Sequence, residues 1–440
     1  MKLALIGQDI APLLPSMLTD LYQAHKADAD LWIEEKNDVM QEVLLGYAHA
    51  CLAHSGLSGS VHASHSRREI LEGADCVIYA GDCMASSRFR QDREALLGQE
   101  DGDAGLSDQA RVNGGLGGLM HTLRQGSIIV PLCEDMRKYC PSAIVISLGQ
   151  PVARTTELFA LSGFAAYGIG NSARRGPGGI DGFARKLGVQ LGDVQARWRG
   201  LTGFQFLTAL RNRKTGEDYF DRIRDMTADG AFGRMPRRWL QQYGAVCVGS
   251  GPEHAEFMEA QDDFIPDANP TLAETVEHRK DRILQMNTVR EKGLDDPDGK
   301  IAQLTLLTRT PSERPISLAL ALLEKGSLVM PGVTMRNETN LALLPRHAFI
   351  ESTLCLTAGE RVDHTYTFPS ALTDLMGDIA QAHHLAALAA TGDRSSLREY
   401  VETDPALSGL DRLYLMDVVS AMIRMHNDIL FQFNEDMDEE

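Results

Sequence analysis

The sequence predicts an α/β fold, in which a Rossmann-like parallel-sheet domain over residues 1–175 precedes a mixed α+β domain over residues 176–440 with a helical C-terminus. Two observations predict it. In the first part, short apolar runs typical of buried parallel strands alternate with segments of helical periodicity. From about residue 180 this alternation stops, and residues 370–392 and 396–432 have a helical pattern throughout.

The predicted strands of the first domain are short and apolar. In chain order they are residues 2–7, 29–34, 76–80, 143–148 and 165–169. The helical segments between them indicate βαβ units with right-handed crossovers. Any ligand is therefore expected at the carboxyl ends of these strands.

Charge and composition argue against several classes of protein. The 440 residues carry 43 basic and 61 acidic side chains, and the net charge of −18 repels nucleic-acid phosphates. No apolar stretch reaches about 18 residues, so no membrane span is expected, and the N-terminal apolar run is too short for a secretory signal. The seven cysteines include no C-x-x-C pair, which argues against a disulfide framework or a zinc site and favours a cytoplasmic protein with reduced thiols.

The turn after the first strand matches a dinucleotide-binding turn in part. Such a turn needs glycines, because backbone N–H groups must approach the pyrophosphate at a helix N-terminus. Gly7 takes the first glycine position, but Asp9 brings a carboxylate to the second. Glu34 ends the next strand at the spacing of a ribose-binding acid. Gly7, Asp9 and Glu34 are therefore candidate NAD-binding residues, and a Rossmann-like domain without a nucleotide remains the alternative.

An ordered series of short motifs resembles glycoside hydrolase family 4, the NAD-dependent glycosidases. The series runs through nearly the whole chain, and its pieces are residues 74–78 (ADCVI), 115–118 (GLGG), 140–151 (CPSAIVISLGQP), 168–170 (GIG), 200–203 (GLTG), 253–257 (EHAEF), 337–345 (NETNLALLP) and 348–351 (AFIE). The resemblance implies NAD as cofactor, a small sugar or glycoside as substrate, and a homodimer or homotetramer. It also implies that NAD oxidises the sugar at C3, that a divalent metal acidifies the C2 proton, and that a tyrosine removes this proton.

The residues that would bind the metal are missing. By the same resemblance, the family's metal-binding cysteine falls at Gly170 and its metal-binding histidine at Gly203, and neither glycine has a ligand atom. No metal ligands are therefore predicted at the usual site. The family's sugar-binding asparagine falls at Gln150, whose longer amide can still bond a hydroxyl. Gln150 and the nearby Asn171 are candidate substrate-binding residues.

Four further residues complete the predicted site. Asn113 and Gly115 lie at a glycine-rich helix start, which favours an anion; Asn113 is assigned to the substrate and Gly115 to the cofactor. The alternative for the glycines is tight packing between helix and sheet. Tyr243 and His254 are the candidate acid–base residues. The alternative for His254 is a polar residue that ties a loop to the core.

Three hypotheses for function follow. The first is a divergent NAD-dependent enzyme that hydrolyses glycosides, or oxidises or reduces a sugar at C3, without the usual metal. The second is a non-catalytic descendant that binds a sugar or a partner protein. The third is a conventional family 4 glycosidase whose metal is held by other residues. The first is preferred, in its oxidoreductase form, because elimination without a metal needs another group to stabilise an enediolate-like intermediate.

Overall fold

The parallel part of the sheet comes from the first 170 residues. The computed structural model describes residues 1–8, 10–24, 29–53, 55, 59–81, 85–97, 109, 111–174, 176–249, 251–258, 271–294 and 313–436. The first six strands are β1 (Lys2–Ile6), β2 (Asp30–Glu34), β3 (Val61–Ser64), β4 (Cys76–Tyr79), β5 (Ile144–Ser147) and β6 (Ala166–Ile169). They pair in parallel in the order β3-β2-β1-β4-β5-β6, which is the Rossmann order.

The second half of the chain extends the same sheet with antiparallel strands. These are β7 (Val194–Leu201), β8 (Phe204–Asn212), β9 (Cys247–Val248), β10 (Leu328–Arg336), β11 (Phe349–Thr357) and β12 (Glu360–Arg361). The order continues β6-β10-β11-β7-β8-β9, with β12 paired to β11. The junction is antiparallel, because Val333 pairs with Ile169 and Thr334 with Gly168. Within the described ranges, one sheet therefore runs through both predicted domains, and a boundary at residue 175 remains a prediction.

Helices cover both faces of the sheet. In the first half they are α1 (Ile10–Gln23), α2 (Asp38–Leu52), α3 (Arg67–Leu71), α4 (Ala85–Leu97), α5 (Gly115–Tyr139) and α6 (Val152–Leu161). In the second half they are α7 (Ile180–Leu187), α8 (Phe220–Ala228), α9 (Arg234–Tyr243), α10 (Gly251–Ala255), α11 (Thr271–Leu294), α12 (Pro315–Leu323), α13 (Ser370–Ala390), α14 (Arg394–Thr403) and α15 (Arg412–Met425). The predicted α/β class with a helical C-terminus is confirmed. None of the helices in the described ranges is long and apolar enough to cross a membrane.

The alternating faces of β1 show how the core is divided. Ala4 and Ile6 pack in a cluster with α5, α13, α14 and α15, whereas Leu3 and Leu5 pack in a cluster with α1, α2 and α12. Successive strand residues point to opposite faces, so an apolar run such as Leu3–Ile6 is buried on both sides. The C-terminal helices thus complete the N-terminal core.

Candidate active site

Gly7 lies just after β1 at the carboxyl edge of the parallel strands. Its φ of +128° and the approach of another segment both require glycine, because a Cβ there would lie 2.3 Å from the carbonyl carbon and oxygen of Ala80. The close crossing of the two segments thus explains Gly7 without a nucleotide, and it also leaves the strand–glycine–helix turn that a dinucleotide needs. Asp9 lies outside the described residues.

Glu34 is the last residue of β2, where a ribose-binding acid would lie. Its side chain is 7% exposed and forms ion pairs with Arg67 Nε at 3.1 Å and with Lys36 Nζ at 3.0 Å. These two cations hold the carboxylate at the strand end. The position of Glu34 fits the predicted role in binding the cofactor ribose, and that role stays a prediction.

The glycine-rich start of α5 is occupied by a carboxyl group that belongs to the chain itself. The carboxylate Oε2 of Glu256 accepts a hydrogen bond from Asn113 N at 2.7 Å, and burial raises the pKa of Glu256. A Cβ on Gly114 would lie 1.9 Å from the Glu256 carbonyl oxygen, and a Cβ on Gly115 would lie 2.3 Å from Gln109 Oε1. The predicted affinity of this helix start for an anion therefore has an internal explanation, whereas the binding roles of Asn113 and Gly115 remain predictions.

Gln150 follows β5 and precedes α6, to which it is joined by a cis peptide bond with Pro151. Its side chain is exposed, while its carbonyl oxygen accepts a hydrogen bond from Gln125 Nε2 at 3.0 Å. Gln125 also accepts a hydrogen bond from the Tyr79 hydroxyl at 2.5 Å. The main chain of Gln150 is thus fixed, and its exposed side-chain amide lies at the sheet edge where a ligand is expected.

Gly170 follows β6 and lies beside a buried carboxylate. A Cβ on Gly170 would lie 3.4 Å from Thr202 Cγ2, 3.7 Å from Glu351 Oε2 and 3.9 Å from Val152 Cγ2. These are ordinary contact distances. The adjacent Asn171 donates its side-chain amide to Glu313 Oε1 at 2.5 Å, so its predicted contact with a substrate would compete with this hydrogen bond.

Gly203 is the second residue of the two-residue turn that joins β7 to β8. Its φ is +85°, a conformation that favours glycine. A Cβ there would lie 2.9 Å from Cε2 of the Phe257 ring and 3.2 Å from its Cζ. The volume beside Gly203 is therefore occupied by an aromatic ring.

The residues present do not fit the manganese site that the resemblance implies. Gly170 and Gly203 supply no donor, and Phe257 contacts the position where a side chain at residue 203 would begin. Among the described residues, no group of three or more histidine, cysteine, aspartate or glutamate side chains is placed to hold a metal ion.

Glu351 is a site residue that the sequence analysis did not single out. It lies on β11, is 1% exposed, and pairs across the sheet with Gly200 and Thr334. Its Oε1 accepts a hydrogen bond from Trp198 Nε1 at 2.7 Å, and its Oε2 accepts one from Gln205 Nε2 at 3.1 Å. Burial raises the pKa of Glu351, although these hydrogen bonds act in the opposite direction. Glu351 is the one charged residue of β11, and this is the sequence signal that could have identified it.

His254 and Tyr243 lie in and beside a hydrophobic cluster. His254 is fully buried among the rings of Phe204, Phe206 and Trp239, and its Nε2 lies 3.1 Å from the Val248 carbonyl oxygen. Burial lowers the pKa of His254 to about 4, so the ring is neutral at pH 7. This environment favours the structural alternative for His254.

Tyr243 ends α9 and packs against Trp239 with ring centroids 5.4 Å apart. Its hydroxyl accepts a hydrogen bond from Gln242 Nε2 at 3.0 Å, and burial raises its pKa, which disfavours the phenolate. Catalytic roles for Tyr243 and His254 remain predictions.

Comparison with known proteins confirms the predicted resemblance. Residues 2–168 match the model for "Family 4 glycosyl hydrolase". An alpha-glucosidase of Erwinia rhapontici is 26% identical over 284 residues, a region that covers 62% of this chain and 60% of that relative. A 6-phospho-alpha-glucosidase from gut microorganisms, solved in complex with NAD and Mn²⁺, superposes with a TM-score of 0.74 at 15% identity and covers 98% of each chain. The 6-phospho-beta glucosidase of Thermotoga maritima, solved with NAD and glucose-6-phosphate, superposes with a TM-score of 0.66 at 15% identity, covering 98% of this chain and 99% of that one.

Proposed function

We propose that this chain is a divergent relative of the family 4 glycosidases that uses NAD to oxidise or reduce a ring hydroxyl of a small sugar or glycoside without a divalent metal. The observation that carries the proposal is the place of Glu351. Its buried carboxylate lies 3.7 Å from the position of a Cβ on Gly170, beside the carboxyl ends of the parallel strands. Rossmann-type sheets bind their ligands at that edge.

The residues around β1 and β2 fit NAD. The turn at Gly7 and the start of α1 would hold the pyrophosphate, and Glu34 would accept hydrogen bonds from the adenosine ribose. When bound, NAD supplies the hydride acceptor for the oxidation of a secondary alcohol. Two solved proteins of the same fold were crystallised with NAD, which supports the proposal.

Glu351 would take the proton of the reacting hydroxyl. A base needs a lone pair near the substrate and a pKa closer to the working pH than that of an ordinary carboxylate. Burial gives Glu351 the raised pKa, while Trp198 and Gln205 fix both oxygens in position. The exposed amide of Gln150 would bond a second hydroxyl of the sugar.

The absence of metal ligands at Gly170 and Gly203 favours redox chemistry over hydrolysis. Oxidation of an alcohol needs a base and a hydride acceptor only. Elimination of the aglycone would also need an electrophile to stabilise the enediolate-like intermediate, and neither Gly170 nor Gly203 has a side chain that could hold one. By analogy with the family, the working form would be a cytoplasmic homodimer or homotetramer.

A second candidate is a non-catalytic sugar- or protein-binding descendant. Three features that suggest a cofactor site are also explained by contacts within the chain, and this favours the second candidate. Gly7 is required by its close contact with Ala80, Glu34 is paired with Arg67, and Glu256 occupies the start of α5. A molecule that had lost NAD would keep all three features for packing.

Calorimetric titration with NAD, followed by a screen of sugars for NADH absorbance, separates the two candidates. We expect micromolar NAD binding by the wild type and by Glu351→Gln, with sugar-dependent reduction in the wild type alone. Tyr243→Phe is the control and should keep the activity, as should treatment with a chelator. Absence of NAD binding would refute the proposal and favour the non-catalytic candidate. Activity that survives in Glu351→Gln but not in Tyr243→Phe would transfer the role of base to Tyr243.

A further inference from the structure

A second cleft opens at the edge of the sheet opposite to the candidate active site. It has a volume of about 650 Å³ and is lined by Arg336, Glu338, Thr339, Arg346 and His347. Clefts of about 300–1,000 Å³ are large enough to hold a small organic ligand. None of the residues proposed for NAD or sugar binding lines this cleft, so the proposed function does not account for it.

The strand register separates the cleft from the candidate active site. Val333 pairs with Ile169, the last residue of β6, and Gly170 follows at the carboxyl edge of the parallel strands. Because β10 is antiparallel to β6, it runs from that edge to the amino edge and ends there at Arg336. Three residues of a strand span about 10 Å. The cleft and Gly170 therefore lie at opposite edges of the sheet.

The connection between β10 and β11 forms a fixed frame for the cleft. Asn337 Nδ2 donates hydrogen bonds to the carbonyl oxygens of Leu341 at 3.0 Å and of Leu344 at 3.1 Å, and Asn337 Oδ1 accepts one from Leu341 N at 3.0 Å. Asn337 is 1% exposed, so water does not compete for these hydrogen bonds. The buried amide thus fixes the main chain between Arg336 and Arg346, which carry the two guanidinium groups of the cleft.

These two guanidinium groups have no partner in the part of the chain that the structure describes. Neither Arg336 nor Arg346 forms a side-chain hydrogen bond or an ion pair there, and Glu338, the acid of the lining, pairs with neither. The neighbouring Arg361 differs, because its Nε donates a hydrogen bond to Asp363 Oδ1 at 2.5 Å. Two guanidinium groups therefore line the cleft without the carboxylate partner that Arg361 has.

One imidazole of the lining packs on a second imidazole behind it. The rings of His347 and His384 have centroids 5.0 Å apart, and His384 Nδ1 lies 2.6 Å from Glu157 Oε1. This hydrogen bond raises the pKa of His384. Glu157 is 3% exposed and is already paired with His384, so it does not neutralise the arginines of the cleft. His347 adds a ring N–H donor to the lining.

We propose that this cleft binds a small phosphomonoester whose organic part carries hydroxyl groups. Guanidinium groups bind phosphate oxygens through paired, charge-assisted hydrogen bonds, and Arg336, Arg346 and His347 offer donors to its three terminal oxygens. Glu338 would accept a hydrogen bond from a hydroxyl of the organic part, for which the cleft has room beside the phosphate. The proposal does not depend on NAD binding or on turnover.

Calorimetric titration of the full-length protein at constant ionic strength tests the proposal. The probes are sorbitol 6-phosphate, which is not a glycoside, inorganic phosphate and sorbitol. We expect saturable binding of sorbitol 6-phosphate, weaker binding of inorganic phosphate and no binding of sorbitol. Arg336→Met and Arg346→Met should each weaken the binding of sorbitol 6-phosphate about ten- to a hundredfold, because each removes a set of charged donors.

Arg185→Met is the matched control. Arg185 is exposed on α7 and does not line the cleft, so its loss removes the same charge and should change the affinity by no more than about twofold. Glu338→Ala should remove the advantage of sorbitol 6-phosphate over inorganic phosphate. The arginine variants should keep the unfolding temperature of the wild type, because both side chains are exposed, and this separates lost binding from lost folding.

Four results would overturn the proposal. The first is that the wild type binds neither phosphate, and the second is that inorganic phosphate binds as tightly as sorbitol 6-phosphate. The third is that Arg185→Met weakens binding as much as Arg346→Met, which would show a non-specific attraction to positive charge. The fourth is unchanged binding in Arg336→Met and Arg346→Met together with a changed sedimentation coefficient, which would make the cleft a contact between copies of the chain.

Discussion

Replacing Gly203 and Gly170 by alanine tests whether the two glycines, both at positions of missing metal ligands, are equally replaceable. The structure predicts that they are not. Gly203 lies in a tight turn at φ +85° against the ring of Phe257. Gly170 does not have a positive φ, and a Cβ there would lie at ordinary contact distances from its neighbours. Gly203→Ala should therefore be strongly destabilising and Gly170→Ala nearly neutral.

The magnitude follows from two contributions. An alanine held in the left-handed region costs about 1–2 kcal/mol. The Cβ would lie 2.9 Å from an edge carbon of Phe257, a residue 2% exposed that cannot swing into solvent, and such overpacking costs about 1–3 kcal/mol more. The sum for Gly203→Ala is about 2–5 kcal/mol. A Cβ on Gly170 would lie 3.4 Å or more from its neighbours. Gly170→Ala is therefore expected to raise the free energy of unfolding by no more than about 1 kcal/mol.

Equilibrium urea unfolding measures both values from the midpoint and slope of each curve. Phe257→Ala serves as the second branch of a double-mutant cycle. In that background Gly203→Ala should cost only the backbone contribution of about 1–2 kcal/mol, because the ring is gone. Equal costs for the two glycine variants would refute the reasoning, and so would a cost of Gly203→Ala that Phe257→Ala leaves unchanged.

Three further outcomes are expected. The pKa of Glu351 is raised in the folded protein, so the wild type should lose stability relative to Glu351→Gln as pH rises from about 4.5 through the folded pKa, which urea titrations at several pH values would detect. The pKa of His254 is lowered from 6.5 to about 4, so the neutral ring contributes its full stabilisation of the folded protein above pH 6.5. About 3 kcal/mol of the free energy of unfolding should be lost as pH falls to 4. The free energy of unfolding of His254→Gln should depend less on pH over this range. Added manganese should not raise the unfolding temperature of the wild type. A saturable rise would reveal a metal site and contradict the conclusion that the site around Gly170 and Gly203 does not fit a metal.

The parallel strands were accessible from the sequence because they are buried on both faces. The runs 2–7, 76–80 and 143–148 became β1, β4 and β5 with ends shifted by at most one residue. Strand β3 was missed, because Val61–Ser64 is short, lies at the edge of the sheet and contains one buried residue. An edge strand exposed to solvent has no continuous apolar run to identify it.

The candidate site was harder to predict, because its contacts join distant parts of the chain. Glu351 bonds to Trp198 and Gln205, which lie 153 and 146 residues away in sequence, so its buried, hydrogen-bonded environment could not be derived from the residues around it. Gly203 was interpreted as a lost ligand, whereas the turn between β7 and β8 already requires a glycine at that position. A glycine that satisfies a turn and a glycine that replaces a ligand look the same in a sequence.

The antiparallel pairing of β6 with β10 has a consequence for how the protein is made. During translation, β6 emerges long before Leu328–Arg336, the strand that covers its outer edge. At synthesis rates of about 5–20 residues per second, that edge waits roughly 10–30 s without its partner. An uncovered strand edge is a template for pairing with other chains. The nascent protein should therefore need a chaperone in this interval, and a fragment that ends near residue 175 should aggregate when expressed alone.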